Sequence, residues 1–250
     1  MKYILKVYRG TSQKQYFEKF ELKYIEGSNV ISALLEIQKN PVNKMGKKVA
    51  PISFEMSCLE EVCGACSMLI NGYPRQACTA LIKPLIEKTK TIVLAPLSKF
   101  HLIRDLVVNR SKMFEQLKKV KAWIDINDID PESFGVKIDP AKRDALYILS
   151  KCMTCGCCLE ACPQYNNRSN FIGPQAISQI NLFNNHPLGK NIKDERFLNL
   201  VKDGGVSDCG NAQNCKEVCP QDIDLVEAIA KASKDTTKHL FKSLFPRKKK

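Results

Sequence analysis

Cys152-Met-Thr-Cys155-Gly-Cys157-Cys158-Leu-Glu-Ala-Cys162-Pro163 spaces four cysteines by two, two and three residues and ends on proline. That is the bacterial-type iron–sulfur run. Three thiolates grip three corners of a cube, and the chain turns at the proline and sends the fourth thiolate to another cluster. Such a run needs a partner, and Cys209-Gly-Asn-Ala212-Gln-Asn-Cys215-Lys-Glu-Val-Cys219-Pro220 supplies one. The same spacing laid over it puts the missing middle cysteine at position 212, which is alanine. The crossover rule then assigns Cys152, Cys155, Cys158 and Cys219 to a complete 4Fe–4S site. Cys162, Cys209 and Cys215 are left for the other cluster. A cube with one corner unheld loses that iron, so three thiolates predict 3Fe–4S. Cys157 lies between ligands and is expected to face into packing.

A third group lies upstream: Cys58-x4-Cys63-x2-Cys66-x11-Cys78. Two tetrahedral irons sharing two sulfides need two thiolates each, and this is the plant-type 2Fe–2S spacing. Gly64 and Ala65 are small enough for backbone N–H groups to approach the sulfides, which raises the potential. A four-cysteine zinc site uses two Cys-x2-Cys knuckles, and only one occurs here. The expected ligands are thus Cys58, Cys63, Cys66 and Cys78 for 2Fe–2S, with no catalytic residues.

The 250 residues suit two ordinary domains and a core that needs no disulfides. No apolar run reaches the ~18 residues of a membrane span, and Met1 to Lys6 interleaves charge with apolar residues, unlike a signal peptide. The expected compartment is the reducing cytosol, where twelve cysteines point to metal. The formal charge of +13 fits a solvated basic surface or a docking face for an acidic partner. Nucleic acid is not expected as that partner, because no base-stacking aromatics are interleaved with the basic residues. His101, His186 and His239 are scattered away from the cysteines, and Trp123 is expected in the core.

Around the first cysteine group the pattern is β-rich. Tyr3 to Arg9 and Phe17 to Tyr24 alternate with period two, and Ile52 to Met56, Ser67 to Ile70 and Thr91 to Leu94 read as further strands. Asn71-Gly72 is a hairpin turn. Ser28 is the expected cap of a helix through Val30, Ala33, Leu34 and Ile37 that stops at Pro41. The fold class is α+β, with a β-grasp plant-type ferredoxin domain over 1–103. An all-α bacterial-ferredoxin-like domain follows over 104–250. Its helices are read over Leu102 to Val120, from Asp139-Pro140 to Cys152, and over Pro174 to Asn184, Asp194 to Val201 and Asp224 to Leu244. The basic stretch Lys238 to Lys250 reads as a solvated tail or a weak contact with an anionic membrane surface.

On these residues the chain resembles the iron–sulfur subunits of succinate:quinone oxidoreductases, the succinate dehydrogenases and fumarate reductases. The matching segments include Cys58-Leu-Glu-Glu-Val-Cys-Gly-Ala-Cys66, Cys78-Thr-Ala-Leu-Ile82, Arg104-Asp-Leu106, Ser150 to Cys158 and Asn214 to Pro220. The resemblance implies an FAD flavoprotein partner that interconverts succinate and fumarate. It implies electron relay through 2Fe–2S, 4Fe–4S and 3Fe–4S to a quinone in a membrane anchor, with the subunit peripheral on the cytoplasmic face of the cell membrane. Many members carry tryptophan a few residues after the proline of the first run and histidine after the first cysteine of the last. Here those places hold Gln164 to Arg168 and Gly210. Asn40 to Asn43, Met113 to Trp123 and Asp208 to Asn214 look like the subgroup with a two-haem cytochrome b anchor, which implies menaquinone. FAD and haem b would belong to the partner subunits alone.

Overall fold

The structure, a computed structural model, describes residues 1–125 and 135–244. The basic end of the chain, Pro246 to Lys250, lies outside the described residues. The chain divides into two compact units: Met1–Arg110 with Met153–Glu160, and Ser111–Cys152 with Ala161–Lys250.

The first unit is built on a five-stranded sheet of order β2-β1-β5-β3-β4. Strand β1 (Lys2–Gly10) buries Tyr3, Leu5 and Val7 at alternate positions, as its period-two pattern dictates. Gly10 (φ +106°) turns it into β2 (Gln15–Lys23), where an added Cβ would stand 1.9 Å from the Lys14 carbonyl oxygen. The two strands pair antiparallel, and β5 (Thr91–Ala95) runs parallel to β1 on its other side. Beyond β5 lies the hairpin of β3 (Ser67–Ile70) and β4 (Tyr73–Gln76). Its turn, Asn71-Gly72, has both residues at positive φ, as the sequence pair demands. Helix α1 (Val30–Lys39) covers the sheet with Val30, Ile31, Ala33, Leu34 and Ile37. Burial of each large side chain contributes about 1.5–3 kcal/mol.

Three expectations fail in this unit. The cap of α1 is Asn29 rather than Ser28: Asn29 and Ser32 form a reciprocal capping box, while the Ser28 hydroxyl donates to the Ile25 carbonyl. Residues 52–56 form no strand. The Ser53 N–H goes instead to the Asp105 carboxylate (2.9 Å), and the Ser53 carbonyl accepts from Leu106 N–H. Residues 102–109 are not helical. They form a second hairpin, β6 (His101–Arg104) and β7 (Val107–Asn109), turned at Asp105 (φ 51°). Asp105 is buried and accepts from Arg9 Nε (3.2 Å), Gly10 N–H (2.7 Å) and Ser53 N–H. Removing one partner of a buried pair such as Arg9–Asp105 costs about 3–5 kcal/mol, so this clamp fixes the hairpin. Strand β4 and helix α2 (Ile82–Lys88) were not foreseen.

The second unit is helical among its described residues. Helix α3 (Ser111–Lys119) is the part of the expected 102–120 helix that forms. Helix α4 (Pro140–Ser150) starts as the sequence predicts, with the Asp139 carboxylate accepting from Ala141 and Lys142 N–H and proline at its first position. A short α5 (Cys157–Ala161) lies within the cysteine run, and all of it but Ala161 belongs to the first unit. Helix α6 (Gly173–Asn185) takes α3, α4, α7 (Lys193–Val201) and α9 (Leu225–Leu244) against it. The last cysteine run sits on a loop leading into α8 (Asn214–Glu217). Arg196 is wholly buried and donates to the carbonyls of Lys121, Trp123 and Gly189 and to Asn184 Oδ1. Trp123 itself is 42% exposed, not in the core: its backbone rather than its indole is the anchored part.

Candidate metal centres

The loop 58–66 turns inward because three of its residues, Leu59, Glu61 and Gly64, take left-handed conformations. Backbone N–H groups then point at sulfur: Glu60 N–H donates to Cys58 Sγ (3.4 Å) and Ala65 N–H to Cys63 Sγ (3.5 Å). These N–H groups, those of Glu60 and Val62 first, pull the Cys58 thiol down to about 7. Gly64 has no room for a side chain, since a Cβ would lie 2.9 Å from the Met153 carbonyl oxygen and 3.0 Å from Cys155 Cα. The β3–β4 hairpin brings Cys66, just before β3, beside Cys78, just after β4; Ala77 N–H donates to the Cys66 carbonyl (3.1 Å). Burial pushes the Cys66 thiol up to about 12, and the Cys78 side chain is in hydrogen-bond contact with it. Cys58 likewise contacts Cys63. The four sulfurs therefore stand as two pairs, which is the donor set two irons require. Two polar ties hold the loop: Thr79 Oγ1 donates to Glu61 (2.7 Å), and Arg110 Nη2 donates to the Ala65 carbonyl (2.9 Å).

In the same unit, Met153–Glu160 carries Cys155, Cys157 and Cys158, all buried. Gly156 (φ +91°) packs under Leu97 and Phe100, where a Cβ would meet Phe100 Cζ at 3.1 Å. The Glu160 carboxylate accepts from the Ser98 hydroxyl (2.6 Å) and Lys99 N–H (3.1 Å). Cys157 is wholly buried and contacts Cys155, whose sulfur and the surrounding burial hold the Cys157 thiol high, in its neutral form. Cys152, which follows α4, and Cys219 are half-buried, and Ile223 N–H donates to Cys219 Sγ (3.4 Å).

The second unit holds the remaining three cysteines around one pocket. Cys162, Cys209 and Cys215 line a small cavity of about 20 Å³, with Ala212 in its wall. Burial, then the sulfurs of Cys162 and Cys209, push the Cys215 thiol up to about 11. Asn211 and Gln213, both left-handed, flank Ala212 and fold the loop round the pocket. Asn214 Nδ2 anchors the loop to the Ala161 carbonyl (3.1 Å). Three thiols with an alanine in place of the fourth fit a cluster held at three corners. Among the described residues, no three His, Cys, Asp or Glu side chains converge closely enough to hold a single ion. The histidines stand apart from the sulfurs: His101 is exposed on β6, His186 accepts from Leu188 N–H, and His239 stacks on Phe197 (4.9 Å).

Sequence reasoning found the cysteines but missed polar partners. Arg110, which binds the first loop and the Glu55 carboxylate (3.2 Å), lay inside a segment read as helix. Gln76, wholly buried beside Cys66, lies on the unforeseen strand β4.

A family model described as a 2Fe-2S iron-sulfur cluster binding domain matches residues 4–115, and one described as a 4Fe-4S dicluster domain matches residues 148–223. The chain is 51% identical over 230 residues to the succinate dehydrogenase iron-sulfur subunit of Bacillus subtilis, covering 92% of this chain and 90% of that one. It is 32% identical over 231 residues to a fumarate reductase iron-sulfur subunit of Escherichia coli, covering 91% and 89%. A solved chain of the Mycobacterium smegmatis Sdh1 complex in the apo form superposes with a TM-score of 0.79 at 21% identity, over 96% of this chain and 97% of that one. At that identity the superposition speaks for the fold alone.

Proposed function

The chain belongs to the family of succinate dehydrogenase and fumarate reductase iron–sulfur subunits, and from that premise we propose that it is the electron-transfer subunit of a succinate dehydrogenase. The observation that carries this reading is the 51% identity to a succinate dehydrogenase iron-sulfur subunit along nearly the whole chain. In this reading the dicarboxylate site lies on an FAD-containing partner, and this chain passes electrons from it to membrane quinone. The clusters supply one-electron redox chemistry when bound. Everything else falls to the chain's own residues: thiolates hold the irons, and backbone N–H groups and buried side chains set their electrostatic surroundings.

The ligand sets follow the cysteine spacing. Cys58, Cys63, Cys66 and Cys78 hold 2Fe–2S in a β-grasp plant-type ferredoxin domain over 1–103. Cys152, Cys155, Cys158 and Cys219 hold 4Fe–4S, and Cys162, Cys209 and Cys215 hold 3Fe–4S, in a bacterial-type domain over 104–250. The inward N–H groups of the first loop and the three-sulfur pocket at Ala212 support this division. A cytochrome b anchor and menaquinone are the partners implied by the resemblance of Asn40 to Asn43, Met113 to Trp123 and Asp208 to Asn214. The chain has no helix long and apolar enough to cross a membrane among its described residues. It is proposed to bind peripherally to that anchor on the cytoplasmic face.

The same subunit in a fumarate reductase is the second reading, favoured by the 32% identity to such subunits. The test is to isolate the native complex and assay succinate:quinone reduction and fumarate reduction side by side. A preparation without an FAD partner and without either activity would overturn both readings.

A further inference from the structure

A buried polar chain runs through the interior of the first unit. Gln76 on β4 is wholly buried, and both ends of its amide are engaged. Cys66 Sγ donates to Gln76 Oε1 (3.5 Å). Gln76 Nε2 donates to Ser67 Oγ (2.8 Å) and faces Cys157 Sγ (3.7 Å). The Ser67 hydroxyl donates to the Gly64 carbonyl (2.8 Å), and Cys157 contacts Cys155. The β4 face that carries Gln76 also carries buried Pro74, and the β3 residues opposite these two are Ser67 and Leu69. An apolar residue at 76 would fill such a position without the desolvation that a buried amide costs. An amide kept there calls for a role.

We propose that Gln76 is a positioning residue that tunes the 2Fe–2S centre through the Cys66 thiolate. The inference rests on the ligand assignment of the preceding subsection. A ligating Cys66 is a thiolate and has no proton to give. The Gln76 oxygen cannot remain against it, because the amide dipole would then oppose the charge. A half-turn of the amide sets Nε2–H on the sulfur and Oε1 opposite Ser67, whose hydroxyl turns from Gly64 to donate to it. The 2Fe–2S centre thus gains one buried donor to a ligand sulfur. Hydrogen bonds to cluster sulfurs stabilise the more negative, reduced state and raise the potential.

The test is a redox titration of the full complex followed by electron paramagnetic resonance, with Gln76→Met and Gln76→Leu. Gln76→Met keeps the length and bulk of the side chain and removes the amide. It should lower the reduction equilibrium constant of 2Fe–2S about tenfold, which is 59 mV for one electron, and leave 4Fe–4S and 3Fe–4S unmoved. An unmoved 2Fe–2S potential in Gln76→Met, or equal movement of all three centres, would overturn the inference. If Gln76→Met fails to assemble, Gln76→Leu, which also removes the amide, decides, and an unmoved 2Fe–2S potential in it overturns the inference. Absence of the 2Fe–2S signal from the wild-type chain would instead overturn the ligand assignment, and this inference with it.

Discussion

Gly64→Ala should damage the first metal loop by an amount that can be worked out from two contributions. The first is the backbone. Gly64 sits at φ +73°, where an L-residue costs about 1–2 kcal/mol. The second is contact. The new Cβ would lie 2.9 Å from the Met153 carbonyl oxygen and 3.0 Å from Cys155 Cα and Cβ, backbone atoms and a short side chain that cannot swing aside. Overpacking of this kind costs about 1–3 kcal/mol. The sum is about 2–5 kcal/mol, or a fall in Tm of roughly 4–20 °C for a chain of this size. Gly46→Ala is the matched control: its φ is +78°, and nothing lies within 4 Å of the added Cβ. It should cost the backbone contribution alone, about 1–2 kcal/mol. Thermal unfolding of the cluster-loaded protein, followed by circular dichroism, gives both values. The 2Fe–2S spectrum adds a local readout, which should change in Gly64→Ala and not in Gly46→Ala. Equal costs for the two variants, with an unchanged spectrum in both, would refute the close approach of Met153 and Cys155 to this loop.

Ala212→Cys supplies the thiol that the pocket lacks, so the oxidised 3Fe–4S signal should disappear and a 4Fe–4S signal replace it; an unchanged 3Fe–4S signal would break the alignment of the two cysteine runs. Cys157→Ala should keep all three cluster signals at a stability cost of about 1 kcal/mol, and loss of the 4Fe–4S signal would make Cys157 a ligand. Asp105→Ala leaves Arg9 buried without this partner and removes the acceptor of two backbone N–H groups, so it should cost about 3–5 kcal/mol in denaturant unfolding; a cost below about 1 kcal/mol would deny the clamp a role. In the cluster-free chain, alkylation should favour Cys58 over Cys66. Only the thiolate reacts, the Cys58 thiol is drawn down to about 7 by backbone N–H groups, and the Cys66 thiol is held near 12 by burial. Labelling of Cys58 should rise through pH 7 while Cys66 stays silent, and equal rates at pH 8 would contradict this.

The readable parts of this chain are those with short-range rules. Cysteine spacing is one: a cluster edge fixes how many residues separate its ligands, so the groups at 58–78, 152–162 and 209–219 announce themselves. Tyr3 to Arg9 alternates because one face of β1 is buried, and Asp139-Pro140 marks the start of α4 because cap and first turn are adjacent in sequence. The misreadings share a different cause. Leu102, Ile103, Leu106 and Val107 fit a period of 3.6 and also a bent hairpin. The choice is made by Asp105, whose partners at Arg9, Gly10 and Ser53 are remote in sequence. The same carboxylate takes the Ser53 N–H out of any ladder, so the β-like composition of Ile52 to Met56 yields no strand. At α1, Ser28 and Asn29 are both good caps, and only the return bond from Ser32 selects Asn29. The gap at Ala212 was legible. The left-handed turns at Asn211 and Gln213 that shape its pocket were not, because non-glycine residues enter that conformation only when the surroundings hold them there.

Electron paramagnetic resonance with iron analysis on the purified complex tests the central claim most directly. The account predicts about nine irons per chain and an oxidised 3Fe–4S signal before any reductant is added. A 2Fe–2S signal should appear when succinate is supplied, and a 4Fe–4S signal under a stronger reductant. A colourless chain carrying stoichiometric zinc, or iron without the 3Fe–4S signal, would contradict it.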